Sequence, residues 1–151
     1  MTRVAVALGS NIGNREEYLR AAIAALAPSI QNLRVSTFHD TAPVGVGPQP
    51  VFLNAVAVEK TSLAARALLD RLLAIERELG RERPFPGAPR TLDLDLILYD
   101  EAILDEPGLV VPHPRFRDRR FVLEPLAEVA PDWRDPVSGR TVEELLRMLV
   151  M

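Results

Sequence analysis

The stretch Pro89 to Tyr99, PRTLDLDLILY, places two acids, Asp93 and Asp95, inside a run that is otherwise apolar. In an extended chain, residues two apart face the same way with Cα atoms about 6.6 Å apart. Both carboxylates then share one side, and Leu92, Leu94 and Leu96 share the other. Like charges that close hold protons more tightly unless something positive lies between or beside them. Magnesium suits such a pair, because it takes hard oxygen ligands, keeps several waters and is held by one or two carboxylates plus substrate phosphates. The plain alternative is an edge strand whose solvated acids discourage pairing with another chain. Arg81, Arg83 and Arg90 lie just before the pair, and a guanidinium can clamp phosphate oxygens with its planar fork. Carboxylates and arginines together point to phosphoryl chemistry on a nucleotide, where positioning and charge neutralisation dominate.

Other chemistries have less support. There is no cysteine, so disulfides, thiolate metal sites and cysteine nucleophiles are closed. The only histidines, His39 and His113, lie far apart in the chain, which disfavours zinc. His113 sits in VVPHPRFRDRR ahead of Arg115, Arg117, Arg119 and Arg120. That segment reads either as a phosphate-binding strip or as a structural histidine beside a solvated basic loop. Gly9-Ser10-Asn11-Ile12-Gly13-Asn14 matches neither of the common phosphate-loop patterns and reads as a turn and helix cap, with any ligand contact open.

Composition sets the frame. The 151 residues, 48% hydrophobic and 26% charged, suit one soluble globular domain spanning 1–151. A formal net charge of −3 argues against a nucleic-acid partner. No run reaches the length of a membrane span and the start does not read as a signal peptide, so a cytoplasmic protein is expected. Seven arginines fall between 81 and 120, whereas the single lysine is Lys60.

The pattern along the chain predicts the elements that must position these groups. RVAVAL (3–8) reads as a first strand, followed by a helix capped by Asn14 with Glu17 at the box position and ending at Pro28. Residues 31–41 alternate Leu33, Val35 and Thr37 against Arg34, Ser36 and Phe38, and 51–60 reads as another half-buried strand. A helix over 63–79 stops at Gly80, and the acid-bearing stretch is the fourth strand. The order β-α-β-β-α-β predicts a ferredoxin-like α+β fold, an antiparallel sheet with two helices on one face. A small hairpin (102–111), a short helix (119–130) and an amphipathic helix from Thr141, with Glu144 at its box position, form the tail. The loops 42–50 and 80–89 are long for such a domain and are candidate lids.

The residues now support a resemblance. ALGSNIGN, TAPVG, the Gln49-to-Ala55 stretch QPVFLNA, PRTLDLDLILY, VVPHPRF and RRFVLEPL occur in the order of the 6-hydroxymethyl-7,8-dihydropterin pyrophosphokinase family, over essentially the whole chain. The resemblance implies a ferredoxin-like fold and transfer of pyrophosphate from ATP to the pterin hydroxymethyl group, with release of AMP; the chain is expected to work as a monomer. It implies that Asp93 and Asp95 hold two magnesium ions and that Arg81 and Arg90 stabilise the transferring group. Glu76, Arg83, Leu96, His113 and Arg119 would line the ATP site. Phe52 and Phe121 would sandwich the pterin, Asn54 would read its edge, and the backbone near Thr41 and Val44 would complete the pocket.

Flat rings favour stacking and a polar ring edge needs an amide-like partner, which fits these residue types, although two phenylalanines also suit ordinary core packing. The chain departs from the family at Gly87-Ala88, where many relatives carry Trp-Gly, and at Pro114, where some carry Tyr. Phe85 is the candidate substitute for the tryptophan, and no side chain stands out as a general base. A βαββαβ RNA-binding module and a non-catalytic regulatory domain share the element order. Aromatic content of 5% and the negative net charge disfavour the first, and the Asp93/Asp95 pair has no purpose in the second.

Overall fold

A computed structural model describes residues 1–11, 14–41, 52–79 and 92–149. Its main sheet contains β1 (Thr2–Ser10), β2 (Gln31–Val35), β3 (His39–Thr41), β4 (Phe52–Thr61) and β5 (Asp93–Tyr99). The strands run in the order β2-β4-β1-β5, with β3 also paired to β4, and every pairing is antiparallel. With α1 (Arg15–Leu26) after β1 and α2 (Ala65–Glu78) after β4, this is the ferredoxin-like order read from the sequence.

Strand alternation sorts the side chains into two cores. Val4, Val6, Leu8, Ala55, Ala57, Leu94 and Leu96 pack against Leu19, Ala22 and Leu26 of α1 and Leu68, Leu72 and Ile75 of α2. Ala5, Val56, Val58, Ile97 and Leu98 point the other way. They pack against Val122, Leu123 and Leu126 of α3 (Arg120–Val129) and Val142 and Leu145 of α4 (Val142–Leu149). The C-terminal helices therefore cover a second face. Residues 53–58 of β4 are buried without a break, so the half-buried reading of that strand is corrected. A strand apolar on both faces needs a layer on each side.

Helix ends follow local chemistry. The Asn14 side chain accepts the Glu17 N–H at 3.2 Å at the start of α1. At α4, Thr141 Oγ1 accepts the Glu144 N–H at 3.1 Å and Glu144 Oε1 accepts the Thr141 N–H at 3.0 Å, a complete capping box. Among the tail elements, β6 (Leu104–Glu106) and β7 (Leu109–Val111) form the expected hairpin. Gly108 takes φ +75° in its turn, where a side chain would strain the backbone. The Val111–Pro112 peptide that follows is cis.

Two bulges redirect side chains. Val35 stands opposite Ala57, yet His39 stands opposite Asn54, so the three residues Ser36 to Phe38 face the two residues Ala55 and Val56. Ser36 donates its N–H to the Val56 carbonyl at 2.9 Å, and its hydroxyl oxygen accepts the Val56 N–H at 3.0 Å. A short polar side chain thus takes a ladder position, which breaks the single 31–41 strand expected from alternation. The extra residue flips the parity. Phe38 joins Leu33 and Val35 against the first core, correcting its expected place opposite them, and Asp40 pairs with Arg15 of α1 at 3.1 Å. His39 turns to the second face. In β5, Val6 stands opposite Leu96 and Ala5 opposite Leu98, leaving Ile97 as the extra residue, and its carbonyl accepts the His113 N–H at 2.9 Å.

Candidate functional site

The second face changes from apolar to polar along the strands. Its lowest row is Val58, Ala5 and Leu98, roofed by α3 and α4. The next row is Val56, Ala7 and Asp95, and the one beyond is His39, Asn54, Gly9 and Asp93, drawn from four strands. Asp93 and Asp95 therefore share a face, and Leu92, Leu94 and Leu96 lie in the first core on the other. The sequence alternation holds over this stretch.

Gly9 lies within β1, not in the turn after it. A Cβ there would stand 2.9 Å from Asn54 Oδ1 and 3.8 Å from Phe52 Cδ1. The missing side chain leaves room for the Asn54 amide, itself only 7% exposed, beside the Phe52 ring. Gly9→Ala should push that amide aside while leaving the strand, where φ is ordinary, in place. The expected result is at least a tenfold (roughly 1.4 kcal/mol) loss in affinity for whatever flat polar ligand Asn54 reads, with a melting temperature within a few degrees of wild type. Fluorescence titration of a pterin beside a thermal melt checks this.

Both acids are half-buried, and among the described residues no cluster of three or more His, Asp or Glu side chains surrounds a point. Two carboxylates on one face suit a magnesium ion that keeps waters and draws other oxygens from phosphates. They do not suit zinc, which would need further nitrogen or sulfur donors. Glu76, expected in the nucleotide site, is 2% exposed on α2, and its Oε2 accepts the Leu94 N–H at 2.7 Å. Leu94 lies between the two acids on the edge strand β5. The Glu76 carboxylate thus takes the place of a missing neighbouring strand and fixes the backbone that presents Asp93 and Asp95.

His113 and Arg119 are near one another and near Asp93. Burial is the largest influence on the His113 ring, and the positive charge of Arg119 adds to it, outweighing the opposing pull of Asp93. The ring is held below its ordinary value and is neutral at pH 7. Its Nδ1 accepts the Arg115 N–H at 3.2 Å, so the neutral ring carries its proton on Nε2 as a donor. The unfolded chain takes up a proton here more readily than the folded one. Stability from this ring is therefore complete above about pH 6.5 and falls as pH drops below it. An NMR titration of the His113 ring carbon should give a midpoint below 6.5.

The phenylalanines occupy the same end of the second face. Phe52 is beside Gly9, and Phe121, in the first turn of α3, packs against the rim of the second core with the Arg119 guanidinium 5.5 Å from its ring centre. Both rings are half-buried, which sets them apart from the fully buried Phe116. Thr41 is in register with Phe52. Around the edge of β5, a cleft of about 240 Å³ is lined by Asp95, Leu96 and His113, together with Leu69, Val110 and Pro114.

Leu69 and Val110 were not singled out from the sequence, and Gly9 was weighed only as part of a turn whose ligand contact was left open. Gly9 read as turn punctuation, Leu69 as one more helix-core residue, and Val110 as hairpin. Their signal is tertiary register. Arg81, Arg83, Arg90, Val44, Gly80 and both candidate lids lie outside the described residues.

Comparison with known proteins extends these observations. The family model described as 7,8-dihydro-6-hydroxymethylpterin-pyrophosphokinase matches residues 5–131. A 2-amino-4-hydroxy-6-hydroxymethyldihydropteridine pyrophosphokinase of Pseudomonas aeruginosa is 48% identical over 146 residues, covering 95% of this chain and 90% of the relative. Its namesake from Bacillus subtilis is 43% identical over 146 residues, covering 95% and 87%. The crystal structure of wild-type Plasmodium falciparum HPPK-DHPS matches with a TM-score of 0.79 at 13% identity, a likeness of fold. That match covers 99% of this chain, which spans only 45% of the Plasmodium chain. The chain belongs to the 7,8-dihydro-6-hydroxymethylpterin-pyrophosphokinase family.

Proposed function

We propose that this chain transfers the pyrophosphoryl group of ATP to the hydroxymethyl oxygen of 6-hydroxymethyl-7,8-dihydropterin, giving the pterin diphosphate and AMP, in folate biosynthesis. The observation that carries the reading is the polar row of Asn54, Gly9 and Asp93, continuous on one side with Phe52 and on the other with Asp95 and the cleft at His113. A flat polar ring and a polyphosphate can meet there.

The pterin oxygen attacks the β-phosphorus, the bond from that phosphorus to the oxygen bridging to the α-phosphate breaks, and the β and γ phosphates move together. The leaving group is AMP, and the hydroxyl proton passes to solvent. Two magnesium ions held by Asp93 and Asp95 would neutralise the oxygens around the reacting phosphorus. Asn54 reads the ring edge between Phe52 and Phe121, with the backbone near Thr41 and Val44 beside it. His113 offers its Nε2–H, and Arg119 and Arg83 their guanidinium donors, to the nucleotide. Leu96 lines the nucleotide cleft, and Glu76 acts by fixing the strand that carries both acids. Arg81 and Arg90 steady the transferring group. The enzyme works as one domain and as a monomer in the cytoplasm. Among the described residues, no helix is long and apolar enough to cross a membrane.

The test is steady-state AMP release from ATP. Release that requires both the pterin and magnesium, and that stops on chelation and resumes on adding magnesium back, supports the reading. AMP release that ignores the pterin overturns it.

A further inference from the structure

The Ser36–Phe38 bulge is held from α3. Glu128 Oε1 accepts the Thr37 N–H at 2.6 Å, and Oε2 accepts the Thr37 hydroxyl at 2.9 Å and lies 3.0 Å from His39 Nε2. Thr37 Oγ1 lies 3.2 Å from the same ring nitrogen, closing a three-residue cluster. Burial would raise the Glu128 carboxyl pKa, but the Thr37 and His39 bonds outweigh it and hold it below the ordinary range. None of these residues lies within the second core.

Glu128 is seven residues after Phe121 on α3, two helical turns and roughly 10.5 Å further along the same side. One end of that side carries Phe121, and the other grips the bulge. The bulge sets the register in which His39 faces Asn54 and Thr41 faces Phe52. On the opposite face, β3 is tied to α1 by the Arg15–Asp40 pair. Arg34 adds a further tie to α3, its Nη1 donating to the Val129 carbonyl at 2.9 Å.

We infer that Glu128 is a positioning residue for the pterin half of the site, fixing the separation between the Phe121 side and the Asn54–Phe52 side through Thr37 and His39. The inference rests on the function proposed above, in that the ligand is taken to be the pterin. Glu128 holds the β3 side of the sheet and does not line the cleft at His113, which lies at the far edge, on β5. Its loss should therefore fall on one substrate.

The experiment measures equilibrium binding of 6-hydroxymethylpterin by fluorescence, KM for each substrate, and thermal melts for Glu128→Ala, Glu128→Gln and Thr37→Val. Glu128→Ala should weaken pterin binding about tenfold or more while KM for ATP stays within about twofold. Glu128→Gln, which keeps an acceptor, and Thr37→Val, which keeps the N–H, should fall between that variant and wild type. Unchanged pterin affinity in Glu128→Ala overturns the inference. So does a parallel loss for both substrates that tracks the melting temperature, since that marks general loosening. Binding is read without turnover. A wild-type chain that binds pterin but transfers nothing thus overturns the function and leaves this comparison decisive, and one that binds no pterin overturns both.

Discussion

Asp95→Asn is expected to lower the rate of pyrophosphoryl transfer by about a thousandfold or more, a loss of roughly 4 kcal/mol of transition-state stabilisation. The substitution keeps the shape and removes the charge. Asp95 stands opposite Ala7, between the polar row and the cleft, and is half-buried, so little packing depends on it. A neutral amide is a poor ligand for magnesium, so under the proposed function the negative oxygens of the triphosphate would lose their counter-charge at that point. The effect should appear in kcat with magnesium saturating, beside a melting temperature close to wild type. Retained turnover in Asp95→Asn would show that the carboxylate pair serves only the sheet edge.

The largest stability effect is expected far from the substrates, at Asp135. Its side chain is 0% exposed and takes two bonds from Arg117, from Nε at 2.5 Å and Nη2 at 2.7 Å. It also accepts the Val137 N–H at 3.0 Å and the Ser138 hydroxyl at 2.6 Å. Arg117 belongs to the short turn Phe116–Asp118, between His113 and Arg119, so this pair anchors the segment carrying both. Asp135→Ala leaves the Arg117 guanidinium and three loop donors, the Val137 and Ser138 N–H groups and the Ser138 hydroxyl, without their acceptor and should cost about 3 kcal/mol, read from urea unfolding. Because Arg117 is partly exposed, water offsets some of that loss.

The same carboxylate sets an acid limit. Burial alone would raise its pKa, but the hydrogen bonds from Arg117 and Ser138 lower it from 3.8 to about 2. The folded state therefore binds this proton less readily than the unfolded state. The resulting stability, about 2 kcal/mol, is present above pH 4 and drains away as pH falls toward 2. In Asp135→Ala that part of the acid-induced loss should be missing.

Much of this was legible in the chain. The helices announce themselves by caps, Asn14 for α1 and the Thr141/Glu144 pair for α4, because unsatisfied N–H groups at helix starts select such residues locally. The Asp93/Asp95 pair was readable because strand periodicity is itself local. What the sequence concealed is non-local. Ser36 changes the register of β3 through a bond to Val56, and no property of Ser36 in isolation tells a ladder substitute from a surface serine. Gly9 reads as a turn until β4 is laid beside it and Asn54 occupies the space a side chain would need. The second helical layer could have been suspected from the unbroken apolar run in β4, but alternation in its neighbours drew attention to one face. Glu76 is buried on α2, and its bond to the Leu94 N–H ties it to the strand that carries Asp93 and Asp95, a link that no local pattern in the sequence announces.

In the proposed reaction two phosphates move as one block. Phosphorus NMR of a reaction containing the protein, magnesium, ATP and 6-hydroxymethyl-7,8-dihydropterin tests it most directly. The expected products are AMP and a pterin bearing two mutually coupled phosphorus nuclei, formed in equal amounts. ADP with a pterin monophosphate, or ATP left intact by a folded chain that binds both substrates, would contradict it.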